Sequence, residues 1–326
     1  MDQLTRKEFF RRLAQAGLAA GLLGRLGLPA SAAPRSRVVL AHHPGVLRDG
    51  VPVPEVVTAM VNRAVSGLVG KPTLAAWKTL FRPEDVVGIK VNCSAGERPS
   101  TRPEVVQAIA QGAISAGVKP ENVYIYDRGD RELLRAGYQL NREGPGVRCL
   151  GIGRDYDPEP TVQGRFHGCL CRLLSERITA LVNVPLLKDH ALAGITFAMK
   201  NHYGSIANPG DHHAQNCIAA ADLNAVPAIV RKTRLILGEC IWGLADGGPD
   251  LMKPGALWVQ GMIMATRDPV AADYTAWQLV AEARQRMGLK PLVQVGREPR
   301  CIAAAAALGL GTNDPERIEL VRLSVA

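Results

Sequence analysis

The feature that most constrains this chain is a long alternation between two hydrophobic periods. Short apolar runs recur at Val38–Ala41, Val86–Asn92, Val123–Tyr126, Val147–Gly151, Ile178–Val184, Leu235–Trp242, Trp258–Ala265 and Ile318–Leu323. Between them lie Val56–Leu68, Pro103–Ala116, Arg131–Ala136, Ala219–Arg231, Pro269–Arg286 and Ile302–Leu308, with apolar residues three and four apart. The first kind reads as strand and the second as helix, because side chains repeat every second residue along a strand and about every 3.6 along a helix. Pro103 and Pro269 fall at first helical turns, where a missing N–H is harmless. Gly137 is placed to end the short helix before it. Strands alternating with helices predict an α/β protein, with a mainly parallel sheet flanked by helices, in one body or in two lobes. At 326 residues the chain can bury a sizeable core.

Residues 1–32 read as an export signal rather than as part of that fold. Arg6, Lys7, Arg11 and Arg12 precede the apolar segment Leu18–Leu28, and Ala30-Ser31-Ala32 supplies an A-x-A cleavage site. The apolar segment is too short and too rich in glycine for a comfortable membrane span. The opening Thr5-Arg6-Lys7-Glu8-Phe9-Phe10 resembles a twin-arginine signal with lysine at the second position. The resemblance implies a periplasmic or otherwise extracytoplasmic location and the twin-arginine machinery as a partner. Residues 33–326 then form the α/β domain.

The formal net charge is +9. Five cations against two carboxylates put +3 of it in residues 1–32, which leaves +6 for the rest. No dense basic run is interleaved with aromatics, which argues against a nucleic-acid partner. A cationic pocket for a small anion accounts for the bias instead.

The candidates for such a pocket sit where strands end. In open α/β sheets ligands bind beyond the carboxyl ends of the strands. Lys90 and Asn92 end one strand and share a face, Asp127 ends the next, and Lys188 and His190 follow a third. Asp246-Gly247-Gly248-Pro249 forms a glycine-rich loop after a fourth. The densest stretch is VNVPLLKDHALAGITFAMKNHYGS, Val182–Ser205, in which Pro185 marks the exit from a buried strand. Gly194–Lys200 is long enough for two helical turns, which would set Thr196 and Lys200 on one face. The expected roles are acid–base chemistry for Lys188 and His190, with Asp127 orienting one of them. Lys90, Asn92, Thr196, Lys200, Asn201, Gly247 and Gly248 would bind the anion or a cofactor. His212 and His213, in a polar loop, are the candidate metal ligands. The seven cysteines form no C-x-x-C, a spacing that fits neither a zinc ribbon nor a ferredoxin.

Several of these stretches occur together in a known family. VGIKVN at Val87–Asn92, YIYDRGD at Tyr124–Asp130, VNVPLLKDHALAGITFAMKNHYG, ADGGPD at Ala245–Asp250 and RDPVAADYTA at Arg267–Ala276 stand in the order of the domain-of-unknown-function 362 family, which the chain resembles. Some members of that family are described as iron–sulfur proteins, through a C-x-x-C segment that this chain lacks. The layout His190-Ala-Leu-Ala-Gly194 to Lys200 is also similar to lactate racemase-like nickel-pincer enzymes. That likeness implies a nucleotide tethered to Lys200, a catalytic His190, and nickel on His212 or His213.

Two functions are therefore expected of the chain. The first is an exported enzyme acting on a small anionic substrate, an oxidoreductase or a racemase or epimerase, with a nickel-pincer nucleotide or an iron–sulfur cluster as candidate cofactors. The second is a non-catalytic periplasmic protein that binds or delivers a metal or a cofactor.

Overall fold

A computed structural model describes residues 35–96 and 99–325. The export signal expected over residues 1–32 lies outside them. Ten strands build the main sheet: β1 Ser36–His42, β2 Val87–Lys90, β3 Val123–Asp127, β4 Arg148–Gly151, β5 Ala180–Asn183, β6 Leu186–His190, β7 Gly194–Thr196, β8 Thr233–Leu244, β9 Leu257–Thr266 and β10 Ile318–Ser324. Their order is β10-β1-β9-β8-β5-β2-β3-β4, with β6 paired to the second half of β8 and β7 paired to β6. The run β8-β5-β2-β3-β4 is parallel throughout, and β6 joins β8 in the same sense. Antiparallel pairings occur at β8–β9, β9–β1 and β6–β7. The chain is therefore an α/β protein with a large, mostly parallel sheet, and residues 36–326 cluster into one compact unit.

Alternation along each strand feeds two apolar cores. Leu40, Tyr126, Leu181, Ile236 and Met264 point into one. Ile89, Ile125, Val182, Leu237 and Ala265 point into the other. The second core is roofed by α1 Pro54–Val69, α2 Thr73–Leu80, α3 Pro103–Ser115 and α4 Asp130–Arg135. The first is roofed by α5 Ala198–Asn201, α6 Ala219–Asn224, α7 Pro269–Arg286 and α8 Arg300–Ala307. The long α7 starts as its sequence predicts: Asp268 accepts from the Val270 and Ala271 N–H groups at 2.8 Å, with Pro269 next to it. Among the described residues no helix is long and apolar enough to cross a membrane.

Pro185 stands past the end of β5, as expected, and its carbonyl accepts from Glu239 N at 2.8 Å before the chain resumes as β6 along the far half of β8. Two expectations need correction. Gly194–Lys200 is not two helical turns. Gly194–Thr196 turns back on β6 as β7, and only Ala198–Asn201 is helical. Hydrogen bonding to an edge strand outweighs local propensity there. Ala219–Arg231 is two pieces, Ala219–Asn224 and Pro227–Val230, because Pro227 has no N–H to continue the ladder. The short helix Thr73–Leu80 was not anticipated from its periodicity.

This topology opens a crevice at one place. After β2 and β3 the chain crosses to α3 and α4 on one face, whereas after β5 and β6 it crosses to α5 and α6 on the other. β2 and β5 are neighbours, so the connections part between them, which is the switch point where open α/β sheets bind ligands. Val184 N still bonds Lys90 O at 2.8 Å, and beyond it β6 departs toward β8 and β7.

Candidate active site

A cavity of about 350 Å³ fills that crevice. Lys90, Asn92, Asp127, Lys188, His190, Thr196, Lys200, Asn201 and His213 all line it. Residues separated by more than a hundred positions thus meet at one edge of the sheet, as the strand-end argument requires.

The floor, at the ends of β2 and β3, is fully paired. Lys90 Nζ lies 2.7 Å from Asp127 Oδ1 and donates to Val91 O at 2.5 Å. The other Asp127 oxygen accepts from Cys93 N at 2.7 Å. Asp127 therefore holds Lys90, and it makes no hydrogen bond to Lys188 or His190, the groups it was expected to orient. Gly204 presses on this pair, since a Cβ there would stand 2.6 Å from Lys90 Nζ and 2.7 Å from Asp127 Oδ1. A relay of amides extends the floor: Asn92 Nδ2 donates to Asn201 Oδ1 at 3.1 Å, and Asn201 Nδ2 donates to Asn183 Oδ1 at 2.8 Å.

The wall, built by β6, β7 and α5, is not paired. Lys188 is 0% exposed, yet among the described residues its one hydrogen-bond partner is Ser94 Oγ at 3.3 Å, and no carboxylate lies within ion-pair distance. Burial lowers its pKa to about 8, against the opposing pull of Asp250 and Asp127. Thr196 faces Lys188 across β6–β7, and its buried hydroxyl has no hydrogen-bond partner among the described residues. Lys200 Nζ stands 3.8 Å above the Tyr203 ring and 3.1 Å from His213 Nε2, and burial lowers it too to about 8. The helical turn that carries Lys200 is anchored by Asp273, whose carboxylate oxygens each lie 3.4 Å from Met199 N.

His190 has a defined tautomer. Its Nδ1 accepts from the N–H groups of Leu192 and Ala193 at 3.0 and 3.1 Å. The proton must therefore sit on Nε2. Burial, then Lys200, His213 and Lys188, lower its pKa to about 3, so the ring stays neutral. A ring fixed in this way donates from Nε2 and has no free lone pair with which to act as a base.

Asp189 lies between Lys188 and His190 in sequence and points the other way. Its side chain accepts from Gly248 N at 2.7 Å and pairs with Arg297 at 2.8 Å, and Arg297 also pairs with Asp246 at 2.7 Å. Gly247 and Gly248 belong to that side and line a different cavity with Asp246, so they do not reach the central one. A Cβ on Gly248 would lie 2.1 Å from Asp189 O, so glycine is needed there for close packing.

The histidine pair separates as well. His213 stacks on His190 with centroids 5.7 Å apart, whereas His212 packs against Phe166 at 5.1 Å. Among the described residues no three His, Cys, Asp or Glu side chains converge as metal ligands. With His190 Nδ1 occupied, Lys200 bonded to His213, and the cysteines dispersed and free, these donors fit neither the nickel-pincer arrangement nor an iron–sulfur cluster.

Sequence reasoning missed Ser94, Arg128, Glu132, Tyr203, Gly204, Pro209 and Pro249 of the lining. Ser94 continues the alternation of Lys90 and Asn92, and Tyr203-Gly204 directly follows His202, so both were within reach of the pattern. Pro249 belongs to the glycine-rich loop expected near the site, but it enters the cavity where Gly247 and Gly248 do not.

The chain was compared with known proteins. It is 28% identical over 247 residues to the thylakoid-associated protein sll1697 of Synechocystis sp., a match covering 67% of this chain and 73% of that one. Among solved structures, the crystal structure of a protein from Thermotoga maritima aligns over 73% of this chain and 60% of its own length. The identity there is 10% and the TM-score 0.37, a likeness too low to carry an argument. The profile of the domain of unknown function DUF362 matches residues 87–278, a span that contains every residue lining the central cavity. On that match, the chain belongs to the DUF362 family.

Proposed function

We propose that the central cavity is the active site of an enzyme that moves a proton at a carbon next to the carbonyl or carboxylate of a small anionic substrate. The observation that carries this reading is Lys188, a fully buried lysine with no carboxylate partner among the described residues and a pKa lowered to about 8. Such a lysine is partly neutral near physiological pH and can accept a proton. As the C–H bond breaks, its electron pair moves toward the carbonyl oxygen and the proton passes to Lys188 Nζ. The neutral His190 ring donates from Nε2 to the oxygen that gains charge. Lys200 supplies positive charge to the substrate anion, while Asn92 and the unpartnered Thr196 hydroxyl orient it. This chemistry is that of a racemase or epimerase class rather than of an oxidoreductase.

The test is proton exchange in D2O. The protein is incubated with a panel of small 2-hydroxy, 2-oxo and amino acids, and loss of the C–H signal beside the carboxylate, or beside the ketone of the 2-oxo acids, is followed by NMR. Exchange that Lys188→Ala abolishes while binding persists supports the reading. Binding without exchange at any pH from 6 to 10 would leave a non-catalytic carrier in its place. The same proposal locates the protein outside the cytoplasm, on the strength of the basic, apolar and A-x-A order of residues 1–32. An exported chain whose mass shows an N-terminus at Ala33 is the expected result.

A further inference from the structure

The central cavity holds one cation that proton transfer does not use. Lys90, Lys188, Lys200 and Arg128 line it together with two carboxylates, Asp127 and Glu132. Asp127 is taken by Lys90 at 2.7 Å. Glu132 folds back over Gly129 at the start of α4, where a Cβ on that glycine would lie 2.2 Å from Glu132 Oε2. An acid three residues into a helix takes this position to serve the helix's own free N–H groups. Lys188, Lys200 and Arg128 are left with no carboxylate at ion-pair distance among the described residues. The three stand at different depths. Lys188 is 0% exposed and Lys200 7%, whereas Arg128 is open to solvent. Arg128 directly follows β3, its N–H donates to Asp127 Oδ1 at 2.9 Å, and its guanidinium reaches the Ala207 carbonyl at 3.3 Å. That carbonyl belongs to the loop that brings Pro209 to the lining, and Ala207 N is itself fixed on Cys169 O at 3.0 Å. The arginine thus crosses the solvent end of the cavity between two anchored segments. A neutral carbonyl does not balance its charge, and a guanidinium offers further N–H donors in a fork that matches a carboxylate.

We infer that the substrate of this site is a dicarboxylate, whose second carboxylate pairs with Arg128 while the first lies against Lys200 beside the reacting carbon. The inference deepens the proton-transfer reading and rests on it for where the first carboxylate lies. Size agrees with a diacid. The cavity of about 350 Å³, at about 30 Å³ for each water in the liquid, has room for roughly ten non-hydrogen atoms, and a three-carbon hydroxy acid has only about six. A 2-hydroxy or 2-amino diacid of about four or five carbons fills it. Arg128 holds the end of the substrate that does not react, so its contact is equally strong before and during proton transfer. Losing that contact therefore raises KM and leaves kcat.

Paired substrates test this on the full chain. Malate is compared with 2-hydroxybutyrate, and glutamate with 2-aminopentanoate, each pair equal in carbon number and differing in the distal carboxylate. Exchange in D2O gives kcat and KM, and calorimetry gives Kd. The expected result is a preference of about tenfold or more for the diacid of at least one pair. In Arg128→Gln that preference disappears through KM, with kcat for the diacid within about twofold, and Arg128→Lys restores part of it. Arg128 is exposed, so neither replacement disturbs the core. Equal turnover of both members of each pair, or a loss in Arg128→Gln shared equally by diacid and monoacid, would overturn the dicarboxylate assignment and leave proton transfer in place. A diacid preference in Kd that depends on Arg128, with no exchange in any compound, would do the reverse. It would keep the second carboxylate on Arg128 and remove the proton-transfer reading.

Discussion

Two halves of one cavity treat a buried lysine in opposite ways. On the β2–β3 floor, Lys90 meets Asp127 at 2.7 Å and two carbonyl-type acceptors besides. On the β6–β7 wall, Lys188 is as deeply buried and meets one serine hydroxyl. A paired buried charge is structure, because removing its partner strands an ion. An unpaired one destabilises the fold and persists only where something else uses it. The lysine at the end of β2 builds the site, and the lysine in β6 is the one free to act.

The sharpest way to break this comparison is a pair of isosteric replacements. Lys90→Met should destabilise the fold by about 3–5 kcal/mol, because it leaves Asp127 buried and unpaired. Urea unfolding measures it, and a loss no larger than that of Lys188→Met would erase the distinction. Gly204→Ala should come next, at about 1–3 kcal/mol, since the new methyl collides with the Lys90–Asp127 pair. Lys188→Met should have the opposite sign and stabilise by roughly 0.5–2 kcal/mol while proton exchange is lost. A drop in melting temperature would show that Lys188 has a structural partner after all.

The last test is a pH slope. Lys188 and Lys200 titrate near 8 in the fold, against 10.5 for an unburied lysine. Between those values the unfolded chain binds more protons, so stability should rise with pH across roughly 8 to 10.5, by at most about 1.4 kcal/mol per pH unit per lysine. Below 8 both states are protonated and the full penalty of burial remains. A Lys188→Met/Lys200→Met double variant should flatten the slope, as chemical denaturation at several pH values would reveal. A flat slope in the unmodified chain would place both lysines in contact with water.

Much of this was legible from residue order. Val87–Lys90 and Val123–Tyr126 appear as strands because β-branched and other apolar residues dominate them, as buried parallel strands require. Lys90, Asp127 and Lys188 stood out because each ionisable group abuts such a run. The reading failed where a neighbour's hydrogen bonds set the conformation. Gly194–Thr196 follows β6 instead of its own helical pattern. Lys188, Asp189 and His190 look like one cluster in sequence, but strand alternation sends Asp189 to Arg297 and only the other two into the cavity.

The sequence by itself determined the fold class, the strand ends at which a site would form, and the types of side chain available there, because hydrophobic period and residue chemistry are local properties. Only the tertiary structure decided which charges are neutralised. That depends on distances between side chains a hundred residues apart, such as Lys90 to Asn201 at 3.5 Å. It also depends on burial, which turns a lysine that would titrate at 10.5 in water into one that titrates near 8. The tautomer of His190 was settled in the same way, by donors contributed from the surrounding backbone.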